Sequence, residues 1–229
     1  MTTFVLIHGA YQGGWIWKRV AAELTGAGHR VLAPTLDGCA EHKGQVRAGI
    51  TTETHAAEIA ELLFYEDLTD VVLAGTSTGG MVMAAAAERA RERIARVVFA
   101  DALALLDGEA LPDIVKRPTA VNTELTSGPS RQDFETRLFA DLDPETRRWA
   151  IERCTPHPIA AMQAPVRLER FWDQPWNASV IWCKQSSNPP VAHQRRAADR
   201  LKARWHELDT GHYPMLTEPV ALARLIAEG

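Results

Sequence analysis

Short apolar runs rich in β-branched residues alternate along the chain with amphipathic stretches of helical length, and this alternation limits the fold more than any other feature. Strands buried on both faces of a parallel sheet are continuously apolar, and the connecting helices cover those faces. Six runs are predicted as strands, at residues 4–7, 30–33, 70–74, 97–100, 178–183 and 204–208. Five stretches are predicted as helices, at residues 15–27, 52–65, 80–90, 191–202 and 219–227. The sequence therefore predicts an α/β fold with a mostly parallel six-stranded sheet and flanking helices.

Residues 106–176 interrupt this alternation. The segment is rich in proline and aromatic residues, and helical patterns lie near residues 131–140 and 144–153. We expect it to form a small helical cap, or lid, inserted between the fourth and fifth strands above their carboxyl ends. The remaining residues, 1–105 and 177–229, then form the core, and a chain of 229 residues is long enough to bury that core as one domain.

Charge and cysteine content argue against several classes of protein. The formal net charge is −4 and basic residues are interspersed with acidic ones, so no surface for nucleic acid is expected. No apolar stretch has the length of a membrane helix, and the apolar run near the N-terminus is too short for a secretory signal. Cys39, Cys154 and Cys183 form no CxxC pair, so neither a zinc site nor a disulfide framework is expected. These features predict a cytoplasmic protein without a metal site.

The stretch LAGTSTGGM, residues 73–81, contains the pattern G-x-S-x-G with Ser77 at its centre. An apolar run precedes the pattern and an alanine-rich helical stretch follows it, so Ser77 is predicted on a tight strand-to-helix turn. Gly75 and Gly79 remove the Cβ atoms that would collide in such a turn. The alternative is a Gly/Ser loop that only closes a strand. The context favours the reading of Ser77 as a nucleophile.

A serine nucleophile needs a base that is unprotonated near neutral pH, and histidine suits this role. The chain has eight histidines. His212 is predicted as the base because the short stretch DTGHYPM follows the last strand and returns His212 to the carboxyl ends of the strands. His8 also ends a strand, but its stretch HGA is better suited to presenting main-chain N–H groups to an oxyanion. The remaining histidines lie in helical or strand patterns (His29, His55, His193 and His206) or in loops without a partner motif (His42 and His157).

A carboxylate should orient the imidazole of the base. The loop after the fifth strand, residues 184–198, contains neither Asp nor Glu. Asp101 at the end of the fourth strand is therefore predicted as the acid, and a helix cap is the alternative role for Asp101. Asp209 lies three residues before His212, which is too close along the chain to reach the far side of the ring.

Two main-chain N–H groups should complete the site by stabilising an oxyanion. The stretch HGA at residues 8–10 ends the first strand and presents the amide of Ala10. The second amide is that of Thr78, the residue after the nucleophile. The oxyanion hole is thus predicted at Ala10 and Thr78.

The stretches FVLIHGAYQGGWIWKRV, LAGTSTGGM, FADALALLDGEAL and DTGHYPMLTEP resemble the α/β-hydrolase superfamily. The resemblance is to the branch of plant methylesterases, the salicylate-binding esterase and hydroxynitrile lyases, together with bacterial pyrethroid-type esterases. It implies an α/β-hydrolase fold, a Ser, His and Asp triad at Ser77, His212 and Asp101, the oxyanion hole named above and no cofactor.

Three departures from the family pattern are informative. Many members carry the acid after the penultimate strand, where this chain has Ser186, Ser187 and Asn188, whereas other bacterial members have an Asp at the position of Asp101. The residue before the nucleophile is often His and is Thr76 here. The lyases use a threonine and a lysine at the positions of Gly9 and Tyr213, so the resemblance favours hydrolysis over lysis.

The sequence therefore predicts a serine hydrolase that cleaves a carboxylic ester through an acyl-enzyme on Ser77. The aromatic residues of the cap indicate a small, largely apolar or aromatic substrate, although aromatics at helical spacing more often pack against a sheet. Two alternatives stay open: hydrolysis of a lactone, thioester, amide or C–C bond by the same triad, and a non-catalytic small-molecule receptor. A small molecule is the expected partner, with neither nucleic acid nor membrane, and a homodimer is possible.

Overall fold

A six-stranded parallel sheet forms the centre of the molecule. The computed structural model describes residues 1–115 and 121–228. The strands of this sheet are β1 Thr3–Ile7, β2 Arg30–Leu32, β3 Val71–Ser77, β4 Ile94–Ala102, β8 Ala178–Cys183 and β9 Arg204–Leu208, with β5 to β7 given below. Their spatial order is β2-β1-β3-β4-β8-β9, and every neighbouring pair is parallel. The predicted α/β class and six-stranded sheet are confirmed.

Helices cover both faces of the sheet. On one face lie α1 Lys18–Gly26 and α10 Pro219–Glu228, which pack against each other. On the other face lie α2 Thr52–Tyr65, α3 Gly79–Arg89 and α8 Val191–Leu201. A short helix, α9 Pro214–Thr217, precedes α10. None of the helices in the described residues is long and apolar enough to cross a membrane.

The alternation of side chains along β1 shows why the strands are apolar throughout. Phe4 and Leu6 face α1 and α10, whereas Val5 and Ile7 face α2 and α3. All four side chains are fully buried. Since successive residues of a strand point to opposite faces, a sheet covered on both sides needs apolar residues at every position. This is the pattern from which the sheet was predicted.

Residues 106–176, the predicted cap, lie between β4 and β8 in the chain. The helices in this segment are α4 Leu111–Ile114, α5 Arg131–Asp133, α6 Pro144–Ile151 and α7 Ala160–Gln163. Three short strands, β5 Val121–Asn122, β6 Thr126–Gly128 and β7 His157–Pro158, form a separate antiparallel sheet. These strands were not predicted, because two or three residues are too few to show a periodicity. Residues 116–120 of the predicted cap, and Gly229, lie outside the described residues.

The predicted helix at 131–140 is only partly correct. It consists of α5 followed by a π-helical turn, Phe134–Leu138. The guanidinium of Arg147 donates to the carbonyl groups of Phe139, Ala140 and Leu142 at 2.7–2.9 Å. These hydrogen bonds satisfy backbone acceptors that a continued helix would have satisfied itself, so the irregular chain after the turn is stable.

The packing of α3 against β1 leaves no room for a side chain at Gly79. A Cβ at this position would lie 2.5 Å from the carbonyl oxygen of Ile7 and 2.6 Å from that of His8. We expect Gly79→Ala to lower the free energy of unfolding by about 2–3 kcal/mol, because rigid backbone must move to accept the methyl group. Urea denaturation measures this change.

Gly26→Ala is the matched control. Gly26 ends α1, and a Cβ there would meet nothing within 4 Å. Because alanine has the higher helix propensity, this variant should be neutral or more stable by up to about 1 kcal/mol. Equal effects of the two substitutions would contradict the close approach of α3 to β1.

Candidate active site

Ser77 lies at the junction of β3 and α3. It is the last residue of β3, and its backbone has φ +51°, a left-handed conformation that is costly for a residue with a side chain. A Cβ on Gly75 would lie 2.6 Å from the carbonyl oxygen of Gly79, and a Cβ on Gly79 would lie 2.5 Å from that of Ile7, so neither position has room for a side chain. The predicted strand-to-helix turn is therefore present, with the strand running three residues further than expected, to Ser77.

Asp101 lies beside Ser77 on the neighbouring strand, at an irregularity in the pairing. Thr76 pairs with Ala100 and Ser77 pairs with Ala102, which leaves Asp101 as an extra residue. Its φ is +46°, and its side chain is fully buried. A bulge of this kind redirects a side chain out of the normal alternation of a strand. Here the side chain that it redirects is the carboxylate of Asp101.

His212 reaches this carboxylate from the loop between β9 and α9. Its Nδ1 atom donates to Oδ2 of Asp101 at 2.6 Å. Since a carboxylate only accepts, the proton lies on Nδ1 and Nε2 is left as the acceptor nitrogen of the neutral ring. Residues 111 positions apart in the chain thus meet in a short hydrogen bond.

Ser77 and His212 line the same cavity. Within the part of the chain that the structure describes, the hydroxyl of Ser77 makes no hydrogen bond, to His212 or to any other residue. Catalytic hydrogen bonds commonly form only when substrate binds, so an unbonded hydroxyl is compatible with the predicted role of Ser77 as nucleophile. The structure thus joins two of the three predicted residues directly and places the third on the same cavity wall.

The loop after β1 is held by two buried side chains. His8 Nδ1 donates to the carbonyl of Gly9 at 2.8 Å, and His8 Nε2 accepts from the amide of Leu36 at 3.0 Å. The Oε1 atom of Gln12 accepts from the amide of Gly9 at 3.2 Å. Burial lowers the pKa of His8 from 6.5 to about 4, because the charged imidazolium would lose its hydration. His8 therefore stays neutral and shapes the loop that carries Ala10.

Ala10 and Thr78, the predicted oxyanion residues, lie close to Ser77. Ala10 lines the cavity with Ser77, and Thr78 follows Ser77 as the N-terminal cap of α3. Neither main-chain N–H donates to an acceptor within residues 1–115 and 121–228. The positive end of the α3 dipole points to the same place. Both amides are thus available to a developing negative charge.

The cavity has a volume of about 290 Å³ and two kinds of wall. Core and cap residues provide an apolar wall, which includes Tyr11, Leu103, Leu111, Leu138 and Tyr213. The loop 185–189, together with Arg137 and Asp141 of the cap, provides a polar wall. Asp141 lies so close to the loop of His212 that a Cβ on Gly211 would be 2.1 Å from its Oδ2 atom. The cavity can therefore hold a small molecule with one apolar and one polar part.

Several histidines that sequence analysis set aside have structural partners. His193 Nε2 accepts from the amide of Ala104 at 2.9 Å, and His157 Nδ1 lies 3.4 Å from the sulfur of Cys39.

Arg137 and Asp141 were not predicted as site residues, because cap residues can be assigned to the cavity only once the cap is folded. Gln194, which contacts Asp101, was also missed. The sequence distinguishes Gln194 only as a polar residue on the apolar face of the helical pattern at 191–202.

Comparisons with known proteins agree with this fold. The model of the Alpha/beta hydrolase family matches residues 4–225. The chain is 33% identical to the carbendazim hydrolyzing esterase of Nocardioides sp. (strain SG-4G), over 73% of this chain and 74% of the esterase. It is 32% identical to the (S)-hydroxynitrile lyase of Manihot esculenta, over 62% of this chain and 54% of the lyase. The pyrethroid hydrolase of Sphingobium faniae JZ-2 has a similar structure, with a TM-score of 0.84, 21% identity and coverage of 99% of this chain and 96% of that one.

The chain belongs to the alpha/beta hydrolase family. This membership and the esterases among its relatives identify it as a hydrolase. The predicted family resemblance is confirmed, including its branch of methylesterases, hydroxynitrile lyases and bacterial esterases.

The low pKa of His8 predicts a loss of stability in acid. His8 takes up a proton near pH 6.5 in the unfolded chain but only near pH 4 in the folded one. The unfolded state therefore binds more protons between these values, and the free energy of unfolding should fall as the pH decreases through this window, by up to about 3 kcal/mol. In His8→Gln this contribution is absent, so urea denaturation from pH 7 to pH 4 should give a flatter dependence. Parallel curves for the two proteins would contradict the assignment.

Proposed function

We propose that the protein hydrolyses carboxylic esters through an acyl-enzyme on Ser77. The observation that carries this proposal is the hydrogen bond from His212 to the buried Asp101, in the same cavity as a serine whose backbone is held at positive φ. An oriented imidazole and a nucleophile on a strained turn are the two parts that acyl transfer by serine requires. The esterases among the relatives support the same reaction.

The proposed reaction has two steps. In the first, Ser77 Oγ attacks the ester carbonyl, His212 Nε2 accepts the serine proton, and the amides of Ala10 and Thr78 stabilise the oxyanion. His212 then gives the proton to the leaving alkoxide, which leaves an ester bond between Ser77 and the acyl group. In the second, His212 accepts a proton from the water that attacks this ester. It returns the proton to Ser77 Oγ as the bond between Oγ and the acyl carbon breaks and the carboxylic acid leaves. Asp101 holds the ring in the required tautomer and stabilises its protonated form.

The cavity supports a small substrate with an apolar or aromatic part. Tyr11, Leu138 and Tyr213 offer aromatic and aliphatic contacts near Ser77, whereas the loop 185–189 offers polar ones. We therefore propose that the apolar group of the ester lies against these three residues and its polar group lies toward the loop 185–189. A volume of about 290 Å³ fits a small molecule and is too small for a polymer.

A receptor without catalytic activity is the competing function. The positive φ of Ser77 argues against it, because a receptor gains nothing from a strained serine beside an oriented imidazole. Labelling by a fluorophosphonate separates the two functions. The hydrolase should be labelled at Ser77, and a receptor should not.

Ser77→Ala should abolish hydrolysis of p-nitrophenyl esters, because no other group replaces the attacking oxygen. The release of p-nitrophenolate measures the rate, and circular dichroism checks that the variant is folded. A folded Ser77→Ala protein with nearly full activity would end the proposal.

Asp101→Asn should lower kcat about 10⁴-fold, because the amide favours the wrong tautomer of His212. Asp199→Asn is the matched control, since Asp199 is exposed on α8 and should leave kcat unchanged. Steady-state kinetics on the same ester measures both variants. A loss of less than tenfold in Asp101→Asn would assign the acid to another residue.

Aryl and short aliphatic esters should be cleaved faster than esters with a charged acyl group, because the proposed orientation places the apolar group of the substrate against Tyr11, Leu138 and Tyr213. A panel of such esters, compared by kcat/KM, tests this preference. A strong preference for charged acyl groups would contradict the orientation proposed for the substrate.

A further inference from the structure

Gln194 joins the proposed acid to the wall of the cavity. It lies on α8 and is 1% exposed. Its Nε2 atom donates to Oδ1 of Asp101 at 2.7 Å and to the carbonyl oxygen of Pro189 at 3.1 Å. The orientation of the amide is fixed by its surroundings, because a flipped amide would place its oxygen against two acceptors. A buried neutral donor thus contacts the carboxylate that orients His212.

The two oxygens of Asp101 have different partners. Oδ2 accepts from His212 at 2.6 Å, whereas Oδ1 accepts from Gln194 at 2.7 Å and from the amide of Cys183 at 3.4 Å. The bond from Cys183 is long, so Gln194 is the main partner of Oδ1. The terminal torsion of an aspartate has a broad energy minimum, and a carboxylate fixed at one oxygen only can turn away from its partner. Gln194 supplies the second fixed point.

We propose that Gln194 is a positioning residue for the reaction. It holds the carboxylate of Asp101 in the plane that His212 needs, and its N–H group stabilises the negative charge of that carboxylate. This inference rests on the proposed function, because it assigns Gln194 a part in the same triad. Gln194, the polar residue on the buried face of α8, thus has a chemical role although it does not line the cavity.

Other titratable groups near this arrangement are few among the described residues. Burial and the neighbouring Asp101 raise the pKa of the Cys183 thiol, so it stays neutral. The carboxylate of Asp141 lies against Gly211 on the cap side. On α8, Arg196 contacts both Glu109 and Nδ1 of His193, and Nε2 of His193 accepts from the amide of Ala104, so neither side chain contacts Asp101. A pH effect of changing Gln194 is therefore expected to act through Asp101 and His212.

The test compares two substitutions that preserve the length of the side chain. Gln194→Met removes the donor, so Asp101 attracts the protonated form of His212 more strongly. We expect kcat/KM to fall about tenfold to hundredfold, with the midpoint of its acid limb moved to higher pH by about half a unit or more. Relative to the wild type, the loss should therefore be largest at low pH.

Gln194→Glu should show the opposite dependence. Two adjacent carboxyl groups share a proton at low pH, and the introduced group can then donate to Oδ1 as the amide does. Activity relative to the wild type should be close to normal at the acid end. It should fall as the pH rises, because the proton leaves and the two charges repel each other.

The same pH series is measured by the rate of fluorophosphonate labelling at Ser77, which needs no substrate. Failure of wild-type protein to label would end the proposed function, whereas normal labelling with unchanged pH profiles in both variants would overturn the role of Gln194 alone. Gln163→Met, on the exposed side of α7, is the control and should behave as the wild type. Thermal denaturation checks folding. Loss of soluble protein in both Gln194 variants would also overturn the proposal, since it would assign Gln194 to folding.

Discussion

The buried carboxylate of Asp101 is the group on which the rest of the site depends. A carboxylate without access to water must be compensated by hydrogen bonds, and here His212 and Gln194 provide one short bond to each oxygen. These partners come from the loop after β9 and from α8, so the carboxylate fixes both of these elements relative to β4. The same contacts that stabilise a buried charge also orient the imidazole. Stability and the proposed chemistry therefore depend on one set of hydrogen bonds.

Close approach of backbone to backbone is the second constraint. Gly75 and Gly79 let β3, α3 and β1 meet within distances that exclude a Cβ atom, and Ser77 lies between these two glycines. The strain of its positive φ persists because the backbone of β3, α3 and β1 is closely packed around Ser77, which itself lines the cavity. Strain at Asp101 persists for the same reason, on the adjacent strand. Two neighbouring residues with unfavourable backbone conformations thus occupy the two positions where the triad was predicted.

The long elements of the fold were predictable because their signal is local. Strands such as Ala178–Cys183 and helices such as Thr52–Tyr65 carry the full period within their own residues. The placement of Ser77, Asp101 and His212 at one edge of the parallel sheet could also be predicted from the sequence, since each residue follows an apolar run. The bulge at Asp101, the donor Gln194 on α8 and the cap residues at the cavity could not be predicted. Each depends on which distant segment lies opposite, and no local pattern contains that information.

The position of Asp101 on β4 separates the proposed acid from the loop 185–189. In the proposed mechanism the carboxylate comes from β4, so the loop 185–189, which forms the polar wall of the cavity, supplies none of the three proposed catalytic side chains. Gln194 holds this loop through the main-chain oxygen of Pro189, a contact that does not depend on the side chains of Ser186, Ser187 or Asn188. Under the proposed function, residues that contact the substrate and residues that break its bond therefore lie in separate segments. We expect variation in the loop to change which molecule is accepted while the proposed triad stays intact.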